Sequence, residues 1–413
     1  MRGQAATKPT HIAIKYFQGR GAIDRIAASR QGKGGELTSE VLREAHGEVT
    51  SGILGEARNS DFEGMRFGVK AWRASASGVR EGGSPAVPIV FVHGFAQQAS
   101  TWDDTAHLLA DAGAECFGFE LAGHGAGACS AGGDPAKRSD FFDLYFQARA
   151  LLAFCRVVAR DAGVAPVLVG YSMGGRVALQ AACLAADDLR DGELGRAALG
   201  SSAAFAPCDR TGRLDVAGVG QRDAATTSAG DAVRMSAAVP FSALVLESAG
   251  LGPVDDAARE ALRERNFAWA ARVRDEGVSA FMDWWAGLPL FESQRNLTND
   301  QRERLRAGRL ASDTESLALS FERAGAHAMP SQGESIRALC ELAAKGIPVS
   351  YLAGELDAKY CKVASTLQSE SQGAVSCCVV PAAGHSIHLE RPEAFGAILE
   401  EVVESCTPKP AAP

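Results

Sequence analysis

Three residues that could act together in catalysis, a serine, an aspartate and a histidine, lie in short loops of this 413-residue chain. Ser172 is the centre of GYSMG (170–174), which follows an apolar run and precedes a helical pattern. A G-x-S-x-G spacing between a strand and a helix is typical of a nucleophile elbow, whose glycines allow the sharp turn that presents the hydroxyl. We therefore predict that Ser172 is a catalytic residue.

A serine hydroxyl needs a base, and His385, in the loop before the last predicted helix, is predicted to supply it. Asp357 lies in the loop after another strand and is predicted to hold the imidazole tautomer and stabilise the imidazolium. The order Ser, Asp, His is that of α/β-hydrolases, and each residue follows a predicted strand, at the edge where open sheets bind ligands. His388 and Glu355 are the alternative base and acid.

Two backbone N–H groups are predicted to form an oxyanion hole. Phe95 follows His-Gly in VHGF (92–95), and Met173 follows the predicted nucleophile. In the α/β-hydrolase architecture these two positions donate to the negative charge that develops on the substrate. The candidate donors are therefore the amides of Phe95 and Met173.

The elements around these loops predict the fold class. Continuous apolar runs, such as AVPIVFVH (86–93) and PVLVG (166–170), are typical of strands buried on both faces of a parallel sheet. They alternate with helical patterns, which predicts an α/β-hydrolase fold with a mostly parallel, doubly wound sheet. A helical cap is predicted between two late strands, with helices at Asp255–Glu276, Val278–Leu288, Asn299–Leu310 and Thr314–Ala324.

The chain is predicted to consist of one catalytic core with additions. The predicted parts are an N-terminal extension (1–60), the core (61–252 and 330–406), the helical cap (253–329) and a tail (407–413). Within the core, residues 187–238 are rich in small and charged side chains and are predicted to be a polar insertion. No motif indicates a role for the extension or for this insertion.

Longer stretches around the motifs resemble one family of the α/β-hydrolase superfamily, the 2-succinyl-6-hydroxy-2,4-cyclohexadiene-1-carboxylate synthases. The resemblance covers about residues 65–406 and is carried by GYSMGGRVAL (170–179), LVLESAGLG (244–252), DWWAGLPLF (283–291), GELDAKY (354–360) and AGHSIHLERPEAF (383–395). It implies a carbon–oxygen lyase of menaquinone (vitamin K2) biosynthesis that eliminates pyruvate from 2-succinyl-5-enolpyruvyl-6-hydroxy-3-cyclohexene-1-carboxylate. In such an enzyme the triad abstracts a proton, and no acyl-enzyme is required.

Five residues are predicted to bind the substrate: Tyr171, Arg176, Arg263, Trp284 and Arg309. The resemblance implies Arg263, Trp284 and Arg309, whereas Tyr171 is predicted from its place in the elbow and Arg176, for which a solvent-exposed helix arginine is the alternative, from its place after Ser172. Arg176 lies in the first helical turn after Ser172, where the helix dipole does not favour a cation, and a carboxylate clamp explains its presence there. The alternative for Arg263 and Arg309 is a solvent-exposed helix face. The alternative for Trp284 is an aromatic residue of the core.

Two other functions fit the same motifs. A hydrolase of this fold would cleave an ester or a carbon–carbon bond with Ser172 as the nucleophile, and a non-catalytic protein of this fold would only bind a ligand. The arginines favour the lyase, because an esterase of neutral substrates has little use for them. The complete set of Ser172, Asp357 and His385 argues against a non-catalytic protein.

Composition limits the partners. The chain has 42 Lys+Arg against 50 Asp+Glu, a net charge of −8, which argues against a non-specific nucleic-acid binder and a polybasic membrane anchor. No apolar run reaches about 18 residues, so no transmembrane helix is predicted. The ten cysteines form no CxxC pair, and no signal-peptide pattern is present, which predicts reduced thiols in a cytoplasmic protein. We expect a small polycarboxylate substrate, no metal and no cofactor; the sequence does not indicate the oligomeric state.

Overall fold

A computed structural model describes residues 10–11, 35–37, 65–73, 86–125, 128–129, 135–200 and 239–407. Its strands are, in chain order, β1 (Thr10–His11), β2 (Gly35–Leu37), β3 (Met65–Trp72), β4 (Ile89–Val92), β5 (Cys116–Phe119), β6 (Ala128–Cys129), β7 (Val167–Tyr171), β8 (Ala243–Glu247), β9 (Val349–Gly354) and β10 (Ser376–Val380). Their order across the sheet is β1-β3-β5-β4-β7-β8-β9-β10, and β2 and β6 pair with β3. The neighbours from β5 to β10 are parallel, whereas β3 is antiparallel to β5. This mostly parallel order confirms the predicted fold class.

The central strands are buried because they are apolar at almost every position. All residues of β4, β7 and β8 are buried. Side chains alternate between the two faces of a strand, so Leu168 belongs to one apolar cluster while Val167 and Val169 belong to the other. Layers of apolar side chains therefore hold helices against both faces of the sheet.

The helices connect these strands. They are, in chain order, α1 (Asp103–Asp111), α2 (Pro135–Phe141), α3 (Leu144–Ala162), α4 (Met173–Gly200), α5 (Asp256–Ala286), α6 (Asn299–Leu310), α7 (Thr314–Ala324), α8 (Gln332–Ala344), α9 (Ala358–Glu370), α10 (Ile387–Glu390) and α11 (Pro392–Cys406). Short 3-10 segments lie at Ala99–Trp102, Pro289–Asn296 and Ala326–Ala328. The bounds of α6 and α7 coincide with the predicted ones.

Residues 253–329, the helical insertion, lie between β8 and β9 in the chain and contain α5, α6 and α7. The predicted break after Glu276 is confirmed, because Gly277 has φ 76° and interrupts the helical backbone of α5. Thr298 and Gln301 form a capping box at the start of α6, and Asp313 caps α7. Such caps satisfy N–H groups that have no acceptor within the helix.

The structure differs from the predicted division at the start of the polar insertion. Helix α4 continues to Gly200, so residues 187–200 are helical. Arg190 explains part of this continuation, because its guanidinium pairs with Glu341 of α8 at 2.8 Å. The rest of that insertion (201–238), the tail from 408 onward and most of the N-terminal extension lie outside the described residues. Of the extension, β1 and β2 both pair with β3.

The described helices were also compared with the length and apolarity that a bilayer requires. None of them is long and apolar enough to cross a membrane.

Candidate active site

Ser172 occupies a tight turn between β7 and α4. Its φ is 50°, a left-handed conformation that costs energy for a residue with a Cβ. The Ser172 N–H donates to the carbonyl oxygen of Glu247 at 2.9 Å, which ties the turn to β8. A Cβ on Gly174 would lie 2.3 Å from the carbonyl oxygen of Val92, so the turn admits only glycine at that position. The predicted elbow is therefore present, with the serine hydroxyl at the carboxyl end of the strand.

Ser172, His385 and Asp357 form a chain of hydrogen bonds. His385 Nε2 lies 3.1 Å from Ser172 Oγ, and His385 Nδ1 lies 2.8 Å from Asp357 Oδ2. The imidazole and the carboxylate are buried, with 1% and 5% of their residue surfaces exposed. A carboxylate so placed keeps the proton on Nδ1, which leaves Nε2 able to accept the proton of the serine hydroxyl.

Asp357 is held by the helix that follows it. Its Oδ1 accepts the N–H of Tyr360 at 3.1 Å and so caps α9, while its Oδ2 faces the imidazole. The Tyr360 ring packs against the imidazole at 4.9 Å between centroids. One carboxylate thus serves both as a helix cap and as the partner of His385.

The loop that carries His385 is held by Glu390, a residue that the sequence reasoning did not single out. The Glu390 carboxylate accepts the N–H of Gly384 at 2.7 Å and the N–H of Ser386 at 3.3 Å. These two residues flank His385 on either side. Glu390 therefore fixes the backbone from which the imidazole projects.

The two predicted oxyanion donors are both near the elbow. Phe95 follows β4, and Met173 is the first residue of α4, whose amino end favours negative charge. Neither amide N–H has a hydrogen-bond acceptor among the described residues. Both are therefore available to an oxygen atom of a ligand.

Two buried histidines join the loop after β4 to the loop after β5. His93 Nε2 accepts the N–H of Leu121 at 3.1 Å, and His124 Nε2 accepts the N–H of Ala96 at 3.2 Å. Since a backbone N–H can only donate, both Nε2 atoms are unprotonated. Burial lowers the pKa of His93 to about 3 and that of His124 to about 4. The hydrogen bond to His124 fixes the backbone of Ala96, the residue directly after Phe95.

Aromatic rings form one wall near the triad. The Phe95 ring lies 4.2 Å from that of Phe321 and 5.0 Å from that of Trp285, measured between centroids. Trp285 in turn contacts Phe291, whose ring lies 5.7 Å from His385. Phe321, Trp285 and Phe291 belong to the helical insertion, which therefore contributes an apolar surface at the site.

Arg176 is half-buried on the first turns of α4, four residues after Ser172. Its guanidinium donates to the carbonyl oxygen of Ala324 at 2.9 Å, and no carboxylate among the described residues pairs with it. Burial lowers the pKa of Arg176, and the Arg265 guanidinium lowers it further. Arg265 of α5, which the sequence reasoning did not select, is therefore a neighbouring cation. An arginine stays protonated under these conditions, so this part of the site is cationic.

Arg309 is connected to the His385 loop through a glutamine. It is 6% exposed, and its guanidinium donates to Gln294 Oε1 at 3.1 Å. Gln294 Nε2 donates to Ser386 Oγ at 3.0 Å. Among the described residues no carboxylate pairs with Arg309, and burial lowers its pKa. The structure therefore links Arg309 to the His385 loop through Gln294.

Two other predicted substrate-binding residues, Arg263 and Trp284, are placed differently. Arg263 is exposed on α5 and pairs with Glu260 at 2.6 Å. Trp284 lies under the guanidinium of Arg272, 4.0 Å from the ring centroid, whereas its neighbour Trp285 contacts Phe95. The structure does not bring Arg263 or Trp284 into contact with the triad.

Tyr171 is only 2% exposed and lies in the core beneath the elbow. Its hydroxyl lies 2.7 Å from Ser386 Oγ, and its ring contacts His385 at 5.4 Å between centroids. Burial raises the pKa of Tyr171 well above its usual value, so the phenol is neutral. Its contacts support the His385 loop from below.

The alternative base and acid have other partners. His388 is fully buried, and its Nδ1 lies 2.9 Å from both carboxylate oxygens of Glu247. Glu355 accepts the N–H of Ala382 at 2.9 Å. The geometry therefore favours His385 and Asp357 as the partners of the serine. In the described part of the chain, no group of three or more His, Cys, Asp or Glu side chains is arranged to hold a metal ion.

Comparison with known proteins agrees with this geometry. The model of the alpha/beta hydrolase family matches residues 89–398. A protein of Escherichia coli (strain SMS-3-5 / SECEC), named 2-succinyl-6-hydroxy-2,4-cyclohexadiene-1-carboxylate synthase, is 27% identical over 322 residues, 78% of this chain and 96% of that protein. A Bacillus subtilis (strain 168) protein given the same name provisionally is 33% identical over 166 residues, which span 40% of this chain and 57% of that protein. These relatives confirm the resemblance seen in the motifs.

Solved structures show a similar fold. The structure of MenH from S. aureus has a TM-score of 0.58 and 23% identity, and the match covers 82% of this chain and 98% of that one. A thermophilic esterase from Thermogutta terrifontis, solved with malate bound, has a TM-score of 0.51 and 17% identity, with coverage of 87% and 98%. The arrangement of sheet and helices is therefore shared with proteins that carry different names.

Proposed function

Because this chain belongs to the alpha/beta hydrolase family, whose model spans residues 89–398, we propose that it uses Ser172, His385 and Asp357 to catalyse a proton abstraction. The reaction we propose is the elimination of pyruvate from 2-succinyl-5-enolpyruvyl-6-hydroxy-3-cyclohexene-1-carboxylate. Its product is 2-succinyl-6-hydroxy-2,4-cyclohexadiene-1-carboxylate, an intermediate of menaquinone biosynthesis. The names of the relatives support this assignment.

In the proposed mechanism the serine and histidine act together as the base. His385 Nε2, 3.1 Å from Ser172 Oγ, takes the hydroxyl proton as the serine oxygen removes a proton from the ring carbon activated by the succinyl carbonyl. The electron pair of the broken C–H bond moves onto the carbonyl oxygen, where the Phe95 and Met173 amides donate to it. The enolate then reforms the carbonyl, a new double bond forms between ring carbons 2 and 3, and the existing double bond shifts from carbons 3 and 4 to carbons 4 and 5. This shift expels the enolpyruvyl oxygen from ring carbon 5. The departing enolpyruvate takes up a proton and becomes pyruvate.

The observation that carries the lyase proposal is a pair of guanidinium groups without carboxylate partners. Arg176 donates to a backbone carbonyl and Arg309 to a glutamine amide, and neither pairs with an acid in the described part of the chain. Arg176 lies on α4, four residues after Ser172, whereas Arg309 lies on α6 and is linked through Gln294 to Ser386, beside His385. A substrate that bears several carboxylates would supply the missing anions and be oriented by them.

A second candidate is hydrolysis of an ester or of a carbon–carbon bond with Ser172 as the nucleophile. The hydrogen bond between Ser172 Oγ and His385 Nε2 favours it, because the same geometry activates a serine for attack on a carbonyl. This reaction differs in needing an acyl-enzyme and a water molecule. It gives no reason for the unpaired arginines, which is why we place it second.

The test is to supply the enolpyruvyl precursor and to follow pyruvate release, with nitrophenyl acetate as a parallel substrate. We expect pyruvate release that Ser172→Ala lowers by about 10³-fold or more. The histidine variant His385→Ala should behave in the same way, whereas His107→Ala, at an exposed histidine of α1, serves as its matched control. Ester turnover without any pyruvate would reject the lyase and leave the hydrolase.

A further inference from the structure

An open cavity of about 190 Å³ lies in the helical insertion, and one of the residues that line it is Phe291, whose ring contacts His385. Its walls come from the end of α5, from the 3-10 segment Pro289–Asn296 and from one side of α6. Met282, Phe291 and Leu305 provide apolar surface. None of these elements belongs to the triad loops, so the cavity is separate from the elbow.

Arginine dominates the polar lining of this cavity. Its four arginines are Arg295, Arg302, Arg306 and Arg309. Two of them have carboxylate partners at the surface, since Arg295 pairs with Glu292 and Arg306 with Asp283. The other two pair with no carboxylate in the described residues. The lining therefore carries a net positive charge of about two.

The arginines differ in exposure, from the solvent-facing mouth of the cavity to its buried end. The side chain of Arg295 is 77% exposed and that of Arg306 54%, whereas Arg309 is 6% exposed. The Nε of Arg309 is buried and has no hydrogen-bond partner among the described residues. A buried N–H group without an acceptor is costly, so an anion that reached this end would meet an unused donor.

The buried end is adjacent to the triad. The Arg309 guanidinium lies 5.3 Å from the ring centroid of Phe291, and the same centroid lies 5.7 Å from that of the His385 imidazole. An anion at the inner end of the cavity would therefore be one aromatic ring away from the proposed base.

We propose that this cavity is an entry site that captures small polycarboxylate anions before they reach Ser172. The proposal deepens the proposed function, because it assumes that the substrate carries several carboxylates. Exposed arginines at the mouth attract the anion from solution, and Arg309 holds a carboxylate at the inner end. Attraction of this kind acts on the rate and affinity of capture, and leaves the chemical step at Ser172 unchanged.

The first experiment measures binding of tricarballylate, a simple tricarboxylate, to the whole protein through the fluorescence of the tryptophans at the end of α5. At about 10 mM ionic strength, where charges interact over roughly 30 Å, we expect Arg306→Gln to raise the Kd by about 3- to 10-fold. Arg306→Lys, which keeps the charge, should restore most of the affinity. The difference in Kd between the unaltered protein and Arg306→Gln should shrink at about 150 mM salt.

Arg304→Gln is the matched control. Arg304 lies on the same helix, is 59% exposed and pairs with Asp104 of α1, so the substitution makes the same charge change on the opposite side of α6. We expect it to leave the Kd unchanged. Equal effects of Arg304→Gln and Arg306→Gln, or no binding of tricarballylate by the unaltered protein at millimolar concentration, would overturn the proposal.

The second experiment separates this site from the proposed reaction. With the enolpyruvyl precursor, Arg306→Gln should lower kcat/KM and leave kcat unchanged, while nitrophenyl acetate turnover is the same in both proteins. If tricarballylate binding depends on Arg306 but no pyruvate is released by any form of the protein, the entry site stands and the lyase assignment fails. If pyruvate is released and Arg306→Gln affects neither Kd nor kcat/KM, the lyase stands and the entry site is rejected.

Discussion

The two buried histidines that join the loop after β4 to the loop after β5 make the stability of the fold depend on pH. His124 is fully buried and neutral, with its pKa lowered to about 4 by desolvation, whereas in the unfolded chain a histidine titrates near 6.5. Between these two values the unfolded chain binds a proton that the folded protein does not. The free energy of unfolding therefore falls as the pH is lowered through this window.

The size of the effect follows from the two pKa values. At pH 5 protonation of the unfolded histidine is worth about 2 kcal/mol, while the folded histidine is still mostly neutral. His93, whose pKa is lowered to about 3, contributes a similar amount by the same argument. We expect the pair to remove about 4 kcal/mol of stability between pH 7.5 and pH 5.

The substitution His124→Gln isolates the contribution of His124 to the pH dependence of stability. A glutamine amide oxygen can accept the N–H of Ala96 in place of His124 Nε2, but it does not titrate. Denaturant unfolding of both proteins at pH 7.5 and pH 5.0 gives the comparison. The unaltered protein should lose about 2 kcal/mol more than the variant on acidification. Parallel losses in the two proteins would refute the assignment of a neutral, buried His124.

His124→Ala removes the acceptor altogether and leaves the Ala96 N–H buried without a partner. The lost hydrogen bond costs about 1–3 kcal/mol at neutral pH. Because Ala96 is next to the Phe95 amide, kcat should fall by up to about 10²-fold, and KM should change little. A fall in stability without any fall in kcat would show that the hydrogen bond between Ala96 and His124 does not position the proposed oxyanion donor.

Two further predictions concern the elbow and its cation. Gly174→Ala should destabilise the protein by about 1–3 kcal/mol in denaturant unfolding, because the new Cβ would lie 2.3 Å from the carbonyl oxygen of Val92. The control is Gly396→Ala, where nothing lies within 4 Å of the new Cβ. Equal losses of stability in the two variants would contradict the steric argument. Arg176→Gln should lower kcat/KM for pyruvate release by about 10- to 100-fold and change nitrophenyl acetate turnover little; an unchanged rate of pyruvate release would show that Arg176 does not bind the substrate.

Much of the fold could be predicted because its elements carry strong local signals. Strands β4, β7 and β8 are continuous apolar runs, which only burial on both faces explains. The starts of α6 and α7 follow from residue types that cap helices, such as Asp313 before α7. The continuation of α4 beyond residue 186 was not predictable from composition, since Arg190 forms an ion pair with Glu341, on a helix far along the chain.

The triad geometry could be anticipated for a similar reason. Ser172, Asp357 and His385 each stand at the carboxyl end of a strand, and a parallel sheet brings such ends to one edge. Residues on the long helix α5 could not be chosen in the same way. Neighbouring positions on a helix differ by about 100° in direction, so one residue of error turns a side chain to another face.

That geometry explains the two differences on α5. The sequence reasoning selected Trp284, but Trp285 is the one that contacts Phe95. It also selected Arg263, which faces solvent, and passed over Arg265, whose charge acts on Arg176. Choosing correctly requires knowing how the helix is rotated about its axis. That rotation is determined by packing against the core.

The separation between Ser172 and its base has a consequence for synthesis of the protein. Their hydrogen bond joins residues that are 213 positions apart in the chain. At a translation rate of about 5–20 residues per second, roughly 10–40 s pass between the addition of the serine and that of the histidine. A nascent chain in this interval carries the hydroxyl without anything to deprotonate it. The proposed catalytic pair is therefore complete only after residue 385 has been added, and a product truncated before that residue has the serine without its proposed base.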